Sequence, residues 1–113
     1  EEGGLSVPTV LAEYEKLIAL FGTNTDVTSG QMFGKPCLKI QGKAFVSQHK
    51  STIAFKLAGS HHQQAMGLKG ATLWDPSGKG RPMKEWVALP ASEAKQFKAL
   101  AKAALAYVSS TIA

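Results

Sequence analysis

Two distant stretches of this sequence, residues 32–40 and 80–87, share a pattern that constrains the fold. The first is MFGKPCLKI and the second is GRPMKEWV; both are basic, strand-like and interrupted by glycine and proline. Such segments form strands close to turns and sheet edges, because proline lacks an amide donor and glycine adapts to tight turns. From residue 27 to residue 84 the chain has nine Lys or Arg residues against a single acidic residue, Asp75. The pattern predicts a small sheet with a positively charged exposed surface.

Length and composition predict one globular domain. A chain of 113 residues with 44% hydrophobic and 19% charged residues can bury a core without disulfides or metals. We expect a single domain over 1–113, with its core from about residue 8 to about residue 109. Cys37 is the one cysteine, which excludes an internal disulfide, and its apolar neighbours predict a buried or half-buried side chain.

The sequence also indicates the cellular compartment in which we expect the protein. No apolar run approaches the roughly 20 residues that a membrane span needs. The first residues lack the basic and apolar regions of a secretory signal. We therefore expect a cytoplasmic protein that does not interact with membranes.

Helical periodicity appears at both ends of the chain and once in the middle. Apolar residues from Val10 to Phe21 recur at helical spacing and predict a helix of about four turns, which ends at Gly22. Residues 60–63 (SHHQ) have the form of a capping box, which predicts a short helix up to Gly67. A long C-terminal helix, capped by Ser92, is predicted to end near residue 108.

The strands are predicted between these helices. Residues 23–30 are mostly small and polar, so we expect a loop there. Strands on either side of Gln41-Gly42 form a tight hairpin, a turn is expected over 47–51, and alternation over 52–57 completes a three-stranded meander. Two further strands are expected over 71–74 and 83–89. The fold class is therefore α+β: a mostly antiparallel sheet of about five strands with an N-terminal, a short middle and a long C-terminal helix packed against it.

Several of these segments resemble the TfoX N-terminal domain of the TfoX/Sxy competence regulators. The similar residues are Met-Phe-Gly at 32–34, GKAF at 42–45, Phe-Lys-Leu at 55–57, and GRPMKEWV at 80–87 followed by Leu-Pro at 89–90. The resemblance extends from about Val10 to Val108 in the same order of elements and points to a stand-alone subgroup of the family. It implies a bacterial, non-catalytic domain with an accessory or regulatory role. The DNA-binding C-terminal domain of the regulators has no counterpart in this sequence, which leaves the competence role open.

Catalytic and metal-binding patterns are weak. No nucleophile motif is present, and the acidic residues show no spacing typical of a catalytic pair. His61 and His62 are adjacent, so on a helix they point about 100° apart and do not face one ion. We therefore predict no catalytic residues, no metal and no cofactor, and expect both histidines to face solvent.

The predicted contact surface is basic. The loop 77–81 has two glycines whose amides could approach an anion, with Lys79 and Arg81 adding charge; a flexible connection explains the same residues. Trp86 is either partly exposed beside Lys84 or part of the core edge. A solvated lysine-rich face is the alternative to a binding surface. The expected partner is another protein or a second copy of this chain, with nucleic acid as the alternative. The candidate surface residues are Lys35, Lys39, Lys79, Arg81, Lys84 and Trp86.

Overall fold

The structure is a computed structural model that describes residues 10–32, 34–49, 51–75, 79–80 and 82–112. These residues form an α+β fold, as predicted, in which an antiparallel sheet of six strands has its helices on one face. The helices are α1 (Val10–Leu20), α2 (Gly59–Met66) and α3 (Phe97–Ser110), and a 3-10 helix (Ala91–Gln96) directly precedes α3. The strands are β1 (Val27–Met32), β2 (Lys35–Ile40), β3 (Lys43–His49), β4 (Thr52–Lys56), β5 (Thr72–Trp74) and β6 (Met83–Pro90).

The strands are arranged in the order β1-β2-β3-β4-β6-β5. The first four form a meander, which is one strand longer than predicted because the second half of the expected loop 23–30 belongs to β1. Residues 27–32 (VTSGQM) show no apolar alternation, which is why the sequence pattern missed the strand. Its ladder with β2 is continuous, from Val27 opposite Ile40 to Met32 opposite Lys35.

The turn between β2 and β3 has the predicted geometry. Gln41 and Gly42 have φ angles of 49° and 83°, the two positive values of a type I′ hairpin turn. The prediction of a turn starting at Ser47 is wrong, because β3 continues to His49. Ser47 is buried within that strand, and its hydroxyl donates to the carbonyl of Pro36 at 2.9 Å, so its polar group is satisfied.

The helix boundaries differ from the predicted caps. The described part of α1 has 11 residues, or about three turns; the start of the predicted four-turn helix lies outside the described residues. α2 begins at Gly59, so Ser60 lies inside its first turn; no side-chain bond caps the helix, and the predicted capping box is wrong. Its end at Gly67 is confirmed by the bonds from the Gly67 amide to the last turn. Ser92 lies in the 3-10 helix rather than at the start of α3.

The main core lies between the helices and the sheet. Apolar side chains of α1, α2 and α3 pack against β2, β3, β4 and β6 in one cluster, with Phe45 and Phe55 fully buried at its centre. Phe45 stacks edge-on against Phe21 and Phe55 packs against Phe97, with ring centroids 5.5 and 5.4 Å apart. None of the described helices is long and apolar enough to span a membrane.

A candidate binding face on the sheet

The sheet face opposite the helices is marked by a row of directly paired residues. Residues that are paired across antiparallel strands lie on the same face. We call this surface the open face, because every buried residue of the described helices belongs to the cluster on the other side of the sheet. The row that crosses all six strands of the open face consists of Gly30, Cys37, Ser47, Ala54, Ala88 and Thr72.

Two tryptophans cover one end of this row. The rings of Trp74 and Trp86 lie 5.0 Å apart, tilted by 57°, and pack with Ala54 and Ala88. The small alanine side chains leave room for both rings, which are only 2% and 3% exposed. Ala54, on the sheet face opposite the main core, is fully buried in a second, smaller core. Trp86 belongs to the same core, so the interpretation of its ring as a partly exposed contact is wrong.

A hydrogen bond connects this tryptophan pair to β3. The Nε1 of Trp74 donates to Nδ1 of His49 at 2.8 Å. Because an indole nitrogen can only donate, His49 must be the neutral tautomer with its proton on Nε2. No pattern in the sequence indicated this contact, since the two residues are 25 positions apart in strands that are not neighbours.

A cleft of about 270 Å³ adjoins this bond. It is lined by the His49 and Trp74 side chains and by hydroxyl-bearing residues of β4, of β5 and of the turn before β4. Thr52 donates a hydrogen bond from its Oγ1 to the carbonyl of His49 at 2.9 Å. The lining residues are His49, Ser51, Thr52, Thr72, Leu73, Trp74, Asp75 and Ala88.

Two predicted surface lysines lie together on the other half of the open face. Lys35 and Lys39 alternate with Cys37 along β2 and so share its face. The stem of Lys39 lies across Gly30: a Cβ at that glycine would come within 3.3 Å of the lysine Cε. Cys37 is fully buried, as predicted. Burial raises the pKa of its thiol, and nearby Lys39 offsets part of that rise; this environment is typical of a structural rather than a reactive cysteine.

Lys84 extends the basic surface to the far side of the sheet. It lies exposed on β6, which is separated from β2 by β3 and β4, so the two strands are roughly 14 Å apart. Its carbonyl accepts a hydrogen bond from Nε2 of His62 at 2.8 Å. His62 is thus half-buried against β6, whereas His61 is exposed as predicted.

One acidic residue neutralises part of this charge. Glu85 lies 3.8 Å from the ammonium of Lys56 and accepts a hydrogen bond from the Tyr107 hydroxyl. That bond holds the proton on the phenol and raises the pKa of Tyr107. The basic charge of the face is therefore concentrated on β2 and at Lys84 rather than on β4.

The glycine-rich loop is partly described. The Gly80 amide donates to Oδ2 of Asp75 at 2.8 Å, and Gly80 has a φ of 77°. An amide that the sequence suggested for an external anion is thus bonded to a carboxylate of this chain. Lys79 is exposed beside it, while Arg81 lies outside the described residues, so its role stays a prediction.

Metal-binding residues are not clustered in the described part of the chain. No group of three or more His, Cys, Asp or Glu residues there is arranged to hold an ion. Comparisons with protein-family models, curated proteins and solved structures found no match to this chain. The similarity to the TfoX N-terminal domain therefore stays a prediction from its motifs.

Proposed function

We propose that this chain is a small, non-catalytic cytoplasmic interaction domain of the TfoX N-terminal type, whose open face binds an acidic surface of another protein. The observation that supports this proposal is the separation of roles between the two sheet faces. One face is occupied by helices, while the other carries Lys35 and Lys39 on β2, with Lys84 exposed on β6. Complementary charge steers partners and sets their specificity.

The burial of the tryptophans favours a protein over single-stranded nucleic acid. Proteins that bind single strands without sequence preference combine basic grooves with exposed aromatic rings, on which bases stack. Trp74 and Trp86 are in the small core, and the phenylalanines of the described helices and strands are also buried. The described part of the open face therefore offers charge without an aromatic platform.

Double-stranded nucleic acid is the second candidate, favoured by the excess of lysine. Binding through about four lysine–phosphate contacts would weaken on the order of 10²-fold between 50 mM and 200 mM salt. Fluorescence polarisation with a labelled DNA duplex and with a labelled Glu/Asp-rich peptide, at both salt concentrations, separates the candidates. We expect saturable peptide binding that weakens at the higher salt by a smaller factor than duplex binding does, because exposed ion pairs are screened, whereas the duplex also loses the release of its condensed counterions.

The matched variants carry the same change of charge on opposite sides of the protein. Replacement of Lys35, Lys39 and Lys84 by Ala should abolish peptide binding. Replacement of Lys95, Lys98 and Lys102, three exposed lysines of the 3-10 helix and α3, should leave it intact. Equal loss in both variants, or tight duplex binding at the higher salt that only the first variant loses, would overturn the proposal; the second result would establish the nucleic-acid alternative.

A further inference from the structure

The outer edge of β1 is a strand edge without the usual protection. β1 and β5 are the outer strands of the sheet. β5 has only three residues and a register irregularity next to Trp74, whereas β1 has six residues and an unbroken ladder with β2. Natural sheets protect their edges with charged residues, proline, bulges or very short strands. β1 (VTSGQM) has none of these.

The hydrogen-bond pattern shows which backbone groups point outward. The Gln41 amide donates to the Asp26 carbonyl at 3.3 Å, so the backbone amide and carbonyl of Asp26 face β2. Successive residues of a strand direct these groups to opposite sides. The backbone amides and carbonyls of Val27, Ser29 and Gln31 therefore face outward. The Val27 amide is bonded to the Asn24 carbonyl at 3.1 Å; the other five outward groups have no hydrogen-bond partner among the described residues.

Four of these five groups are complementary to their own two-fold copy. When a second β1 is placed antiparallel with the two Ser29 residues opposite each other, the serines exchange two hydrogen bonds. Each Gln31 amide then faces the Val27 carbonyl of the other copy, which adds two more. The Val27 amide, which would otherwise donate to the Gln31 carbonyl of the other copy, is already bonded to Asn24. Four intermolecular bonds thus form, and each Gln31 carbonyl stays at an end of the paired segment without a donor from β1. The geometry of the edge therefore matches a second copy of itself.

The charges that flank β1 also favour a second copy of this chain as the partner of the β1 edge. Asp26 precedes β1, and Lys35 follows it across the two-residue hairpin loop. An antiparallel pair places each Asp26 opposite residue 32 of the other copy, one strand spacing from the Lys35 that pairs with that residue, while β1 itself carries no charge. Self-association through the open face would instead oppose lysine to lysine.

We propose that two copies of this chain pair through β1 to form one continuous twelve-stranded sheet. The open faces of both copies remain accessible, so the pairing does not depend on the proposed function. Addition of a strand to a sheet edge is a common mode of protein association, and backbone hydrogen bonds provide its affinity.

Sedimentation of the full chain tests the pairing, from about 1 µM to about 500 µM, a range that includes weak interfaces. We expect a monomer–dimer equilibrium. Ser29 is exposed, so Ser29→Lys should fold; it places two like charges directly opposite each other and should weaken the dimer about fivefold. Gln31→Lys adds the same charge to another exposed residue of β1, which pairs with Pro36 in its own sheet and lies opposite Val27 of the second copy, and should change the dissociation constant much less.

A mixture of two variants separates electrostatic repulsion from misfolding. Ser29→Asp alone should also weaken the dimer, whereas an equimolar mixture with Ser29→Lys should restore it, because opposite charges then face each other. A wild-type chain that is monomeric over the whole range, a dimer that Ser29→Lys leaves unchanged, or a mixture that does not restore association would each overturn the proposal.

Discussion

The contact between Gly70 and Pro90 allows a prediction with a closely matched control. Gly70 precedes β5 and has a φ of 82°, in the left-handed region that strains other residues. A Cβ at this position would lie 2.9 Å from Cγ and 3.2 Å from Cδ of Pro90, at the end of β6. The proline ring is rigid and cannot rotate away, so the backbone of one strand would have to shift. Gly70→Ala therefore carries both a conformational and a steric cost.

The two costs can be separated within this protein. The left-handed conformation costs about 1–2 kcal/mol, and overpacking adds about 1–3 kcal/mol. We expect Gly70→Ala to lower the free energy of unfolding by about 2–5 kcal/mol, the sum of the two costs. Gly42 has a nearly identical φ of 83°, and a Cβ added there would meet no heavy atom within 4 Å, so Gly42→Ala should lose only the conformational part.

Urea unfolding followed by the fluorescence of the buried tryptophans measures both losses. Pro90→Ala removes Cγ and Cδ and leaves only Cβ, 4.0 Å from the added methyl group. In that background we expect the cost of Gly70→Ala to fall to that of Gly42→Ala, and the double-mutant cycle then reports the steric cost. Equal losses for Gly70→Ala and Gly42→Ala in the wild-type background would refute the reasoning.

Two further predictions concern the first hairpin and the Tyr107 phenol. Gln41→Asn should stabilise the protein by a few tenths to about 1 kcal/mol, because asparagine accepts the positive φ of a type I′ turn more readily; an unchanged or lower urea midpoint would contradict this. The pKa of Tyr107 is raised by its bond to Glu85, so the stabilisation from this bond is complete below the phenol's unfolded pKa and is lost as pH rises through the higher folded value. The difference between the ultraviolet titration curves of the wild type and of Tyr107→Phe should show the raised pKa of Tyr107, and Glu85→Gln should lower that pKa. An ordinary tyrosine pKa in the wild type would count against the Tyr107–Glu85 hydrogen bond.

Local signals in the sequence were sufficient for most of the elements. The α+β class and the end of α2 at Gly67 follow from short-range periodicity and from the conformational preferences of glycine. The Gln41-Gly42 turn is a further case, since two residues with positive φ are needed wherever two strands join so tightly. The candidate site was less predictable: Lys35 and Lys39 were candidates because of their charge, their shared face on β2 is known from the strand pairing, and no local pattern showed what covers that face.

The amino-acid sequence by itself determined which segments form helices and most of the strands, because helical and strand periodicities and tight turns depend on neighbouring residues. Tertiary structure alone decided the rest. β1 exists through its bonds to β2, since its own side chains carry no strand pattern. Trp86 is buried because Trp74, from a separate strand, packs against it over Ala54 and Ala88. Burial and pairing are properties of chain segments that meet only after folding, and no pattern within a single segment specifies which partner it meets.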